Sequence, residues 1–185
     1  PSPDPTLEAY VMETDADTDI VTSQAHDAVG NLVKTVDTLG NVNYTVYDVL
    51  NRPIKTIRAA KDDATLDLNP GDAEYDGTND PRSDAYVISS NPDRDLIDLT
   101  FYDSIGRVVR TQRLLDHRPF AQWETNLFGF DSLGRQVRSI RNVSQPAYDV
   151  TADPSLTAYP INPDPDKDIL TQTEYEASGR VLYTE

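Results

Sequence analysis

The sequence predicts an all-β protein of tandem antiparallel hairpins that form a continuous twisted or spiral sheet, with little or no helix. One observation is a short turn motif whose flanks alternate polar and apolar residues and are rich in Thr, Val, Ile and Tyr, as β-strands are. A second is a longer pattern that recurs every 73 to 76 residues. A third is that no long stretch shows the 3.6-residue apolar period of a helix.

The short motif is typical of a hairpin turn. An acidic residue at the end of one strand is expected to accept backbone N–H bonds across the next two residues, and a Gly then takes the positive φ that closes the turn. Asn51 replaces that Gly once, and Asn tolerates positive φ best among the other residues. Five copies predict five hairpins: HDAVGN (26–31), YDVLNR (47–52), YDSIGR (102–107), FDSLGR (130–135) and YEASGR (175–180).

The longer pattern divides the chain into units. It begins with DPTLEAYV at 4, DPRSDAYV at 80 and DPSLTAYP at 153, and an alternating acidic run and two aliphatic residues follow each copy. We expect a first unit over 1–79, a second over 80–152 and the first part of a third over 153–185. Each full unit is predicted to contribute four strands and one acidic connector.

The connectors, 60–92 and 142–165, are dense in Pro, Asp and Asn. Their composition favours solvated loops. Against this, Tyr75-Asp76 and Tyr148-Asp149 each precede an Asp-Pro pair by five residues, and this shared placement indicates ordered loops. Both alternatives remain open at the level of sequence.

Charge and composition exclude several classes of function. With 32 acidic and 16 basic residues the net charge is -16, which disfavours binding to nucleic acid or to an anionic membrane surface. No apolar run approaches the roughly 18 residues of a membrane-spanning helix. The absence of Cys rules out disulfides, thiolate metal sites and Cys nucleophiles. Because the sequence opens at Pro1 without a signal peptide, we expect a processed or excised chain.

The acidic runs are the best candidates for a metal site. Carboxylate or amide oxygens at alternate positions can converge on one hard cation, and flexible all-oxygen loops suit Ca²⁺ better than Mg²⁺. An EF-hand is excluded, because Gly is absent from position 6 and Glu from position 12. The alternative is a solvated acidic turn. The candidate ligands are Asp15, Asp17, Asp19, Asn91, Asp93, Asp95, Asp164, Asp166 and Asp168.

No constellation of residues predicts catalysis. Two carboxylates could in principle hydrolyse a glycoside, but among 32 acidic residues such pairs arise by chance, and none has apolar surroundings that would tune its pKa. His26 occupies an aromatic position of the turn motif and is expected in a strand, whereas His117 lies in a polar turn. We therefore expect a protein that is not an enzyme.

The remaining side chains have structural interpretations. Arg52, Arg107, Arg135 and Arg180 follow the turns and are expected to pair with acidic neighbours. Asn43 and Asn142 match the glycosylation sequon, which is a weak signal. Aromatic residues at strand spacing favour cross-strand packing, with a carbohydrate-stacking ladder as the alternative. They are Tyr47, Phe101, Tyr102, Phe128, Phe130 and Tyr175.

The motifs YDSIGRVVRT and FDSLGRQVRSI, and the paired motifs in residues 25–56, resemble the YD (tyrosine-aspartate) repeats of bacterial RHS proteins. The resemblance implies an extracellular or cell-surface repeat protein whose hairpins wind into a spiral sheet. In toxin-bearing members that sheet closes into a shell, and an autocleaving segment of DPxGxx type follows. Here the three Asp-Pro pairs continue without that Gly.

Two functional hypotheses follow. The first is a structural segment of an extracellular fibre or surface appendage, in which copies of the chain associate end to end through open strand edges. The alternative is a shell or adhesion segment of a longer toxin-encapsulating or partner-binding protein. Carbohydrate is a possible partner, whereas nucleic acid and membrane insertion are not expected.

Overall fold

The computed structural model describes residues 22–60, 80, 83, 86, 88, 93–116 and 121–185. These residues form ten strands in one antiparallel sheet, and each strand pairs with the next along the chain. The strands are β1 (Ser23–His26), β2 (Leu32–Val36), β3 (Val42–Tyr47), β4 (Pro53–Ala60), β5 (Leu96–Tyr102), β6 (Val108–Asp116), β7 (Gln122–Phe130), β8 (Gln136–Arg141), β9 (Ile169–Tyr175) and β10 (Val181–Thr184). The predicted all-β class is confirmed, and the described residues contain no helix.

The strands follow the unit pattern. Strands β1–β4 lie within 1–79, β5–β8 within 80–152, and β9 and β10 within 153–185. The unit boundaries themselves stay a prediction. None of the described segments is a helix long and apolar enough to cross a bilayer.

One face of the sheet carries the core. Tyr44 lies opposite Ile57, and Ile57 lies opposite Ile97, so three neighbouring strands place apolar side chains on the same face. All three are buried. Farther along the sheet, Leu127 lies opposite Ile140 and belongs to a second apolar cluster. Burial of these side chains removes apolar area from water and stabilises the meander.

The connector between β8 and β9 covers the second cluster. Val150, Leu156 and Tyr159 from this connector are buried against the sheet residues, and the Tyr148 ring meets the Tyr159 ring edge to face at 5.1 Å. Residues 142–165 therefore form an ordered loop, as the Tyr148-Asp149 pair indicated. The corresponding pair Tyr75-Asp76 lies outside the described residues.

The opposite face is polar. Thr45, Thr56 and Asp98 lie opposite one another across three strands. The Asp98 carboxylate also accepts from the guanidinium groups of Arg58 at 3.1 Å and Arg113 at 2.8 Å. The sheet is thus a layer with one covered apolar face and one polar face.

Candidate functional site

The turn motif is held together by its acidic residue. In the turn between β5 and β6, Asp103 Oδ1 accepts the N–H groups of Ile105 and Arg107 at 3.0 and 2.9 Å. Its Oδ2 accepts from Arg107 Nε at 2.7 Å. The backbone donors are therefore the second and fourth residues after the Asp, whereas the sequence predicted both donors within the next two residues. Partial burial acts to raise the pKa of Asp103, but the bonds from Arg107 and Ile105 outweigh it and hold the pKa below its ordinary value.

Six turns in the described part share the backbone bonds of this motif, one more than predicted, and in five of them an Asp carboxylate accepts the two N–H groups, the exception being the turn at Glu176. The additional turn joins β2 and β3, where Asp37 accepts the N–H groups of Leu39 and Asn41 at 2.8 Å each. The residue before Asp37 is Val36, so the aromatic that marks the other motifs is absent there. Asn51 takes the Gly position with a φ of 60°, as predicted.

Arginines link the last four of the predicted turn motifs, whereas the first motif ends in Asn31, whose amide donates to Asn51 Oδ1 at 3.0 Å. The Arg52 guanidinium lies 4.4 Å from the centre of the Tyr102 ring. Arg52 follows the turn between β3 and β4, and Tyr102 ends β5 of the neighbouring hairpin. Arg107 lies 4.5 Å from Phe130 in the same way, and Arg135 lies 4.5 Å from Tyr175. Each arginine is also paired with the Asp of its own turn, which fixes it over the neighbouring ring. We call this row of stacked pairs the turn ladder.

The tyrosine hydroxyls add a second link to the ladder. Tyr102 Oη donates to the carbonyl of Pro53 at 3.1 Å, and Tyr175 Oη donates to that of Gln136 at 3.1 Å. Each acceptor directly follows the arginine on which the ring stacks. Most motif aromatics are thereby engaged between hairpins, which favours the packing interpretation. Carbohydrate binding stays a prediction.

The two outer strands are exposed. All four residues of β1 and all four of β10 are exposed. At the β10 edge, Leu182 and Tyr183 retain 61% and 54% of their accessible surface. Such edges present unpaired backbone groups and are templates for another strand. They are the part of the described chain best suited to an interaction.

At the end of each of the two later acidic runs, a buried aspartate meets a tyrosine of the longer repeat. Tyr159 Oη donates to Asp168 Oδ2 at 3.1 Å. In the preceding unit Tyr86 Oη donates to Asp95 Oδ1 at 2.7 Å. Both aspartates are buried and have positive φ. The two sequence patterns, Asp-Pro…Tyr and the acidic run, are therefore connected in the fold by a hydrogen bond from the tyrosine of the first to the last aspartate of the second.

The Asp168 carboxylate is used entirely inside the loop. Its Oδ1 accepts the N–H of Ser144 at 2.6 Å, and its Oδ2 accepts the N–H of Asn162 at 2.7 Å. Burial acts to raise the pKa of Asp168, but these donors outweigh it and the pKa is lowered. Desolvation and the nearby Asp168 raise the pKa of Tyr159.

The predicted metal ligands are dispersed in the described part of the chain. Asp164 Oδ1 accepts the N–H of Asp166, and Asp168 is turned into the connector. No group of three acidic or His side chains that could hold a metal ion occurs among the described residues. Asp15, Asp17, Asp19 and Asn91 lie outside these residues, whereas Asp93 is exposed and Asp95 is buried. Calcium binding stays a prediction.

The sequon asparagines and histidines are placed as follows. Asn43 lies half-buried in β3, and its amide donates to Thr35 Oγ1 at 3.3 Å and accepts the N–H of Ala59 at 3.2 Å. Asn142 is exposed and donates to the Asp166 carbonyl at 2.7 Å. His26 is the last residue of β1, as expected of a strand residue, and His117 lies outside the described residues. Glycosylation stays a prediction.

A groove of about 520 Å³ lies on the covered face between β3, β4, β5, β6 and the connector. Phe101 lines the groove, and the Arg110 guanidinium lies 3.7 Å from the centre of the Phe101 ring. Both carboxylates on its wall are engaged, because Asp48 pairs with Arg52 and Asp149 accepts the N–H and hydroxyl of Thr151.

Comparison with known proteins finds similarity among solved structures only. No family model matches the chain, and no curated protein matches it. A chain in the structure of a mutant Tc holotoxin pore from Photorhabdus luminescens is similar over 88% of this chain, with 15% identity and a TM-score of 0.42. The match spans 7% of that chain. At this level the likeness carries no argument about function.

Proposed function

We propose that this chain is a non-catalytic structural repeat segment that assembles end to end through the edges of its sheet. The observation that carries the proposal is the turn ladder, which links four hairpins by three like contacts, in a sheet whose two outer strands are exposed. A strand added at either edge would gain backbone hydrogen bonds without any change in the existing sheet.

The location and family belong to the same proposal. The YD motifs form the turn ladder, and their resemblance to bacterial RHS repeats supports an extracellular or cell-surface fibre or appendage. A head-to-tail contact between β1 of one copy and β10 of another does not close on itself within one pair, so it produces a chain of copies.

Sedimentation velocity over a range of protein concentrations tests this association. The net charge of -16 makes copies repel one another, so we expect association to increase as salt screens that repulsion. Thr184→Pro removes an outward backbone N–H at the β10 edge, because its neighbour Glu185 exchanges both hydrogen bonds with Gln172 on β9. This variant should remain monomeric, whereas Thr184→Val should associate as the parent does. Monomers of the parent at every concentration and salt would contradict the proposal.

A second candidate is a wall segment of a longer RHS-type shell or adhesion protein. It is favoured by the two unlike faces of the sheet, one covered by the connector and one polar, which are what a wall between two compartments presents. Expression of the parent protein tests it: closed hollow particles with a cleaved C-terminal domain would support the wall, and open filaments would support the first proposal.

The proposal assigns no enzymatic activity. Release of sugar from any member of a polysaccharide panel, abolished by substitution of Asp149, would contradict this assignment. Asp149 is chosen because it lies on the wall of the groove.

A further inference from the structure

Among the residues that the structure describes, the pattern of stacked arginines and rings is left incomplete at each edge of the sheet. At the β10 edge, Arg180 pairs with Glu176 at 2.8 Å as the other turn arginines pair with their aspartates, yet its side chain is 80% exposed. None of the ring contacts of the described residues involves Arg180. At the β1 edge, His26 occupies the aromatic position before Asp27, and it is exposed.

The register between hairpins follows one rule. Lys34 pairs with Tyr44, so Leu32, which follows the first turn, falls opposite Val46, which precedes Tyr47. By the same extension Pro53 falls opposite Phe101, Val108 opposite Gly129 and Gln136 opposite Glu174. Between all four pairs of consecutive predicted turn motifs, the residue that follows one motif lies opposite the residue that precedes the next motif.

The rule transfers to a joint between two copies. Odd-numbered strands run in one direction and even-numbered strands in the other, because every neighbouring pair is antiparallel. Strand β1 of a second copy therefore has the correct direction to pair with β10. Its turn would then lie at the same end of the sheet as the turn between β9 and β10.

We infer that copies join by pairing β10 of one with β1 of the next, with Ala25 opposite Val181 and the His26 ring stacked on the Arg180 guanidinium. This inference rests on the proposed function and names the contacts of its joint. The second copy is the partner because one edge presents the arginine and the other presents the ring, as the two sides of three internal steps do.

The joint differs from the internal tyrosine steps in one atom group. A tyrosine at this position would donate to the carbonyl after the arginine, as Tyr102 does to Pro53 and Tyr175 to Gln136. His26 has no such hydroxyl. The joint between copies therefore lacks one hydrogen bond that these tyrosine steps have, and His26→Tyr should strengthen it.

Sedimentation equilibrium of matched variants tests the contact. We expect Arg180→Ala to weaken association about tenfold through loss of its stacking on the His26 ring, and His26→Tyr, which restores the tyrosine of the internal steps, to tighten it about tenfold. Arg141→Ala removes the same charge from an exposed residue of β8 outside the joint and should leave association unchanged. If the parent associates but Arg180→Ala and His26→Tyr both behave like Arg141→Ala, this joint is wrong while edge assembly stands. If the parent never associates, the proposed function fails.

Crosslinking tests the register independently. The chain has no Cys, so single-Cys copies can be mixed without background. A short thiol crosslinker should join Ala25→Cys copies to Val181→Cys copies, since directly opposite residues have Cβ atoms about 5 Å apart. Ala28→Cys, in the turn, should not crosslink to Val181→Cys. Equal yields from both pairs, with the copies shown to associate, would overturn the register.

Discussion

At the scale of single residues, buried aspartates hold the connectors onto the sheet. Asp168 is 5% exposed and accepts two backbone N–H groups and the Tyr159 hydroxyl. Asp95 is fully buried and bonded to Tyr86. A buried carboxylate is tolerated when donors surround it, and its removal leaves those donors without partners.

Asp168→Asn should therefore destabilise the protein by about 2–4 kcal/mol, because an amide NH₂ would face at least one of the N–H donors. Urea unfolding followed by tyrosine and tryptophan fluorescence measures the loss. Asp166→Asn is the matched control, since Asp166 is exposed in the same run, and it should change stability by less than about 0.5 kcal/mol. Equal losses in both variants would contradict the role given to Asp168.

Stability should fall in acid because of the same carboxylates. The pKa of Asp168 is lowered by its N–H donors despite its burial. The side-chain hydroxyl of Ser155 and the N–H of Ala158 lower that of Asp153. A group whose pKa is lower when folded stabilises the fold above its unfolded pKa of about 3.9, and loses that effect as pH falls through its folded pKa.

We therefore expect the free energy of unfolding to be flat from pH 7 to about 5 and to decrease below pH 4. Urea titrations at pH 7, 5 and 3 measure it. Asp168→Asn should show a smaller decrease between pH 5 and pH 3 than the parent, since one of the responsible carboxylates is gone. A decrease as steep as that of the parent would remove Asp168 from this explanation.

At the scale of the element, the connector between β8 and β9 packs against the backbone of β7. A Cβ on Gly129 would lie 2.6 Å from the carbonyl oxygen of Ser155, and the N–H of Phe130 donates to the Pro154 carbonyl at 2.6 Å. The absence of a side chain at Gly129 is what permits this approach.

Gly129→Ala should consequently destabilise the protein by about 2–4 kcal/mol, because backbone rather than a flexible side chain must move. Thermal unfolding by circular dichroism measures it. Gly40→Ala is a useful comparison: its Cβ would meet nothing within 4 Å, and its φ of 80° sets the only cost, about 1 kcal/mol. If the Gly129→Ala variant were as stable as the Gly40→Ala variant, the connector would not pack closely against β7.

Calcium dependence is a separate prediction for the connectors. If the acidic runs bind calcium, the melting temperature rises in calcium relative to chelator, because a ligand that binds the folded state stabilises it. Asp164→Asn with Asp166→Asn should abolish the rise while keeping the Asp168 hydrogen bonds. An unchanged melting temperature of the parent would refute calcium binding by these runs.

The strands and most turns could be predicted because their signals are local. Alternation identifies a strand, and an acidic residue followed by Gly identifies a turn. The turn at Asp37 was missed because the motif was defined by an aromatic residue that the turn itself does not need. Asp37 makes the same two backbone contacts with Val36 before it.

The role of the acidic runs could not be predicted, because it depends on a contact across the loop. The tyrosine of the longer repeat and the last aspartate of the run are nine residues apart in both Tyr86–Asp95 and Tyr159–Asp168. The constant spacing was visible in the sequence. Only the folded connector shows that it joins a hydroxyl donor to a buried acceptor.

At the scale of the whole molecule, we propose that the turn ladder lets the sheet be extended by further hairpins. Three steps repeat the same pairing between an arginine and a ring, and a further hairpin beside β10 could repeat it at Arg180. The stability of such an array is a sum over units and their interfaces, and exposed edges favour addition of further units.

Negative-stain electron microscopy at high protein concentration and moderate salt tests this account most directly. With ten strands about 4.8 Å apart, each copy should add roughly 45–50 Å to a filament, somewhat less where the sheet twists. We expect unbranched filaments whose length grows with concentration and whose formation is blocked by Thr184→Pro. Separate particles of single-copy size under all these conditions would contradict the claim that the edges of this sheet join copies of the chain.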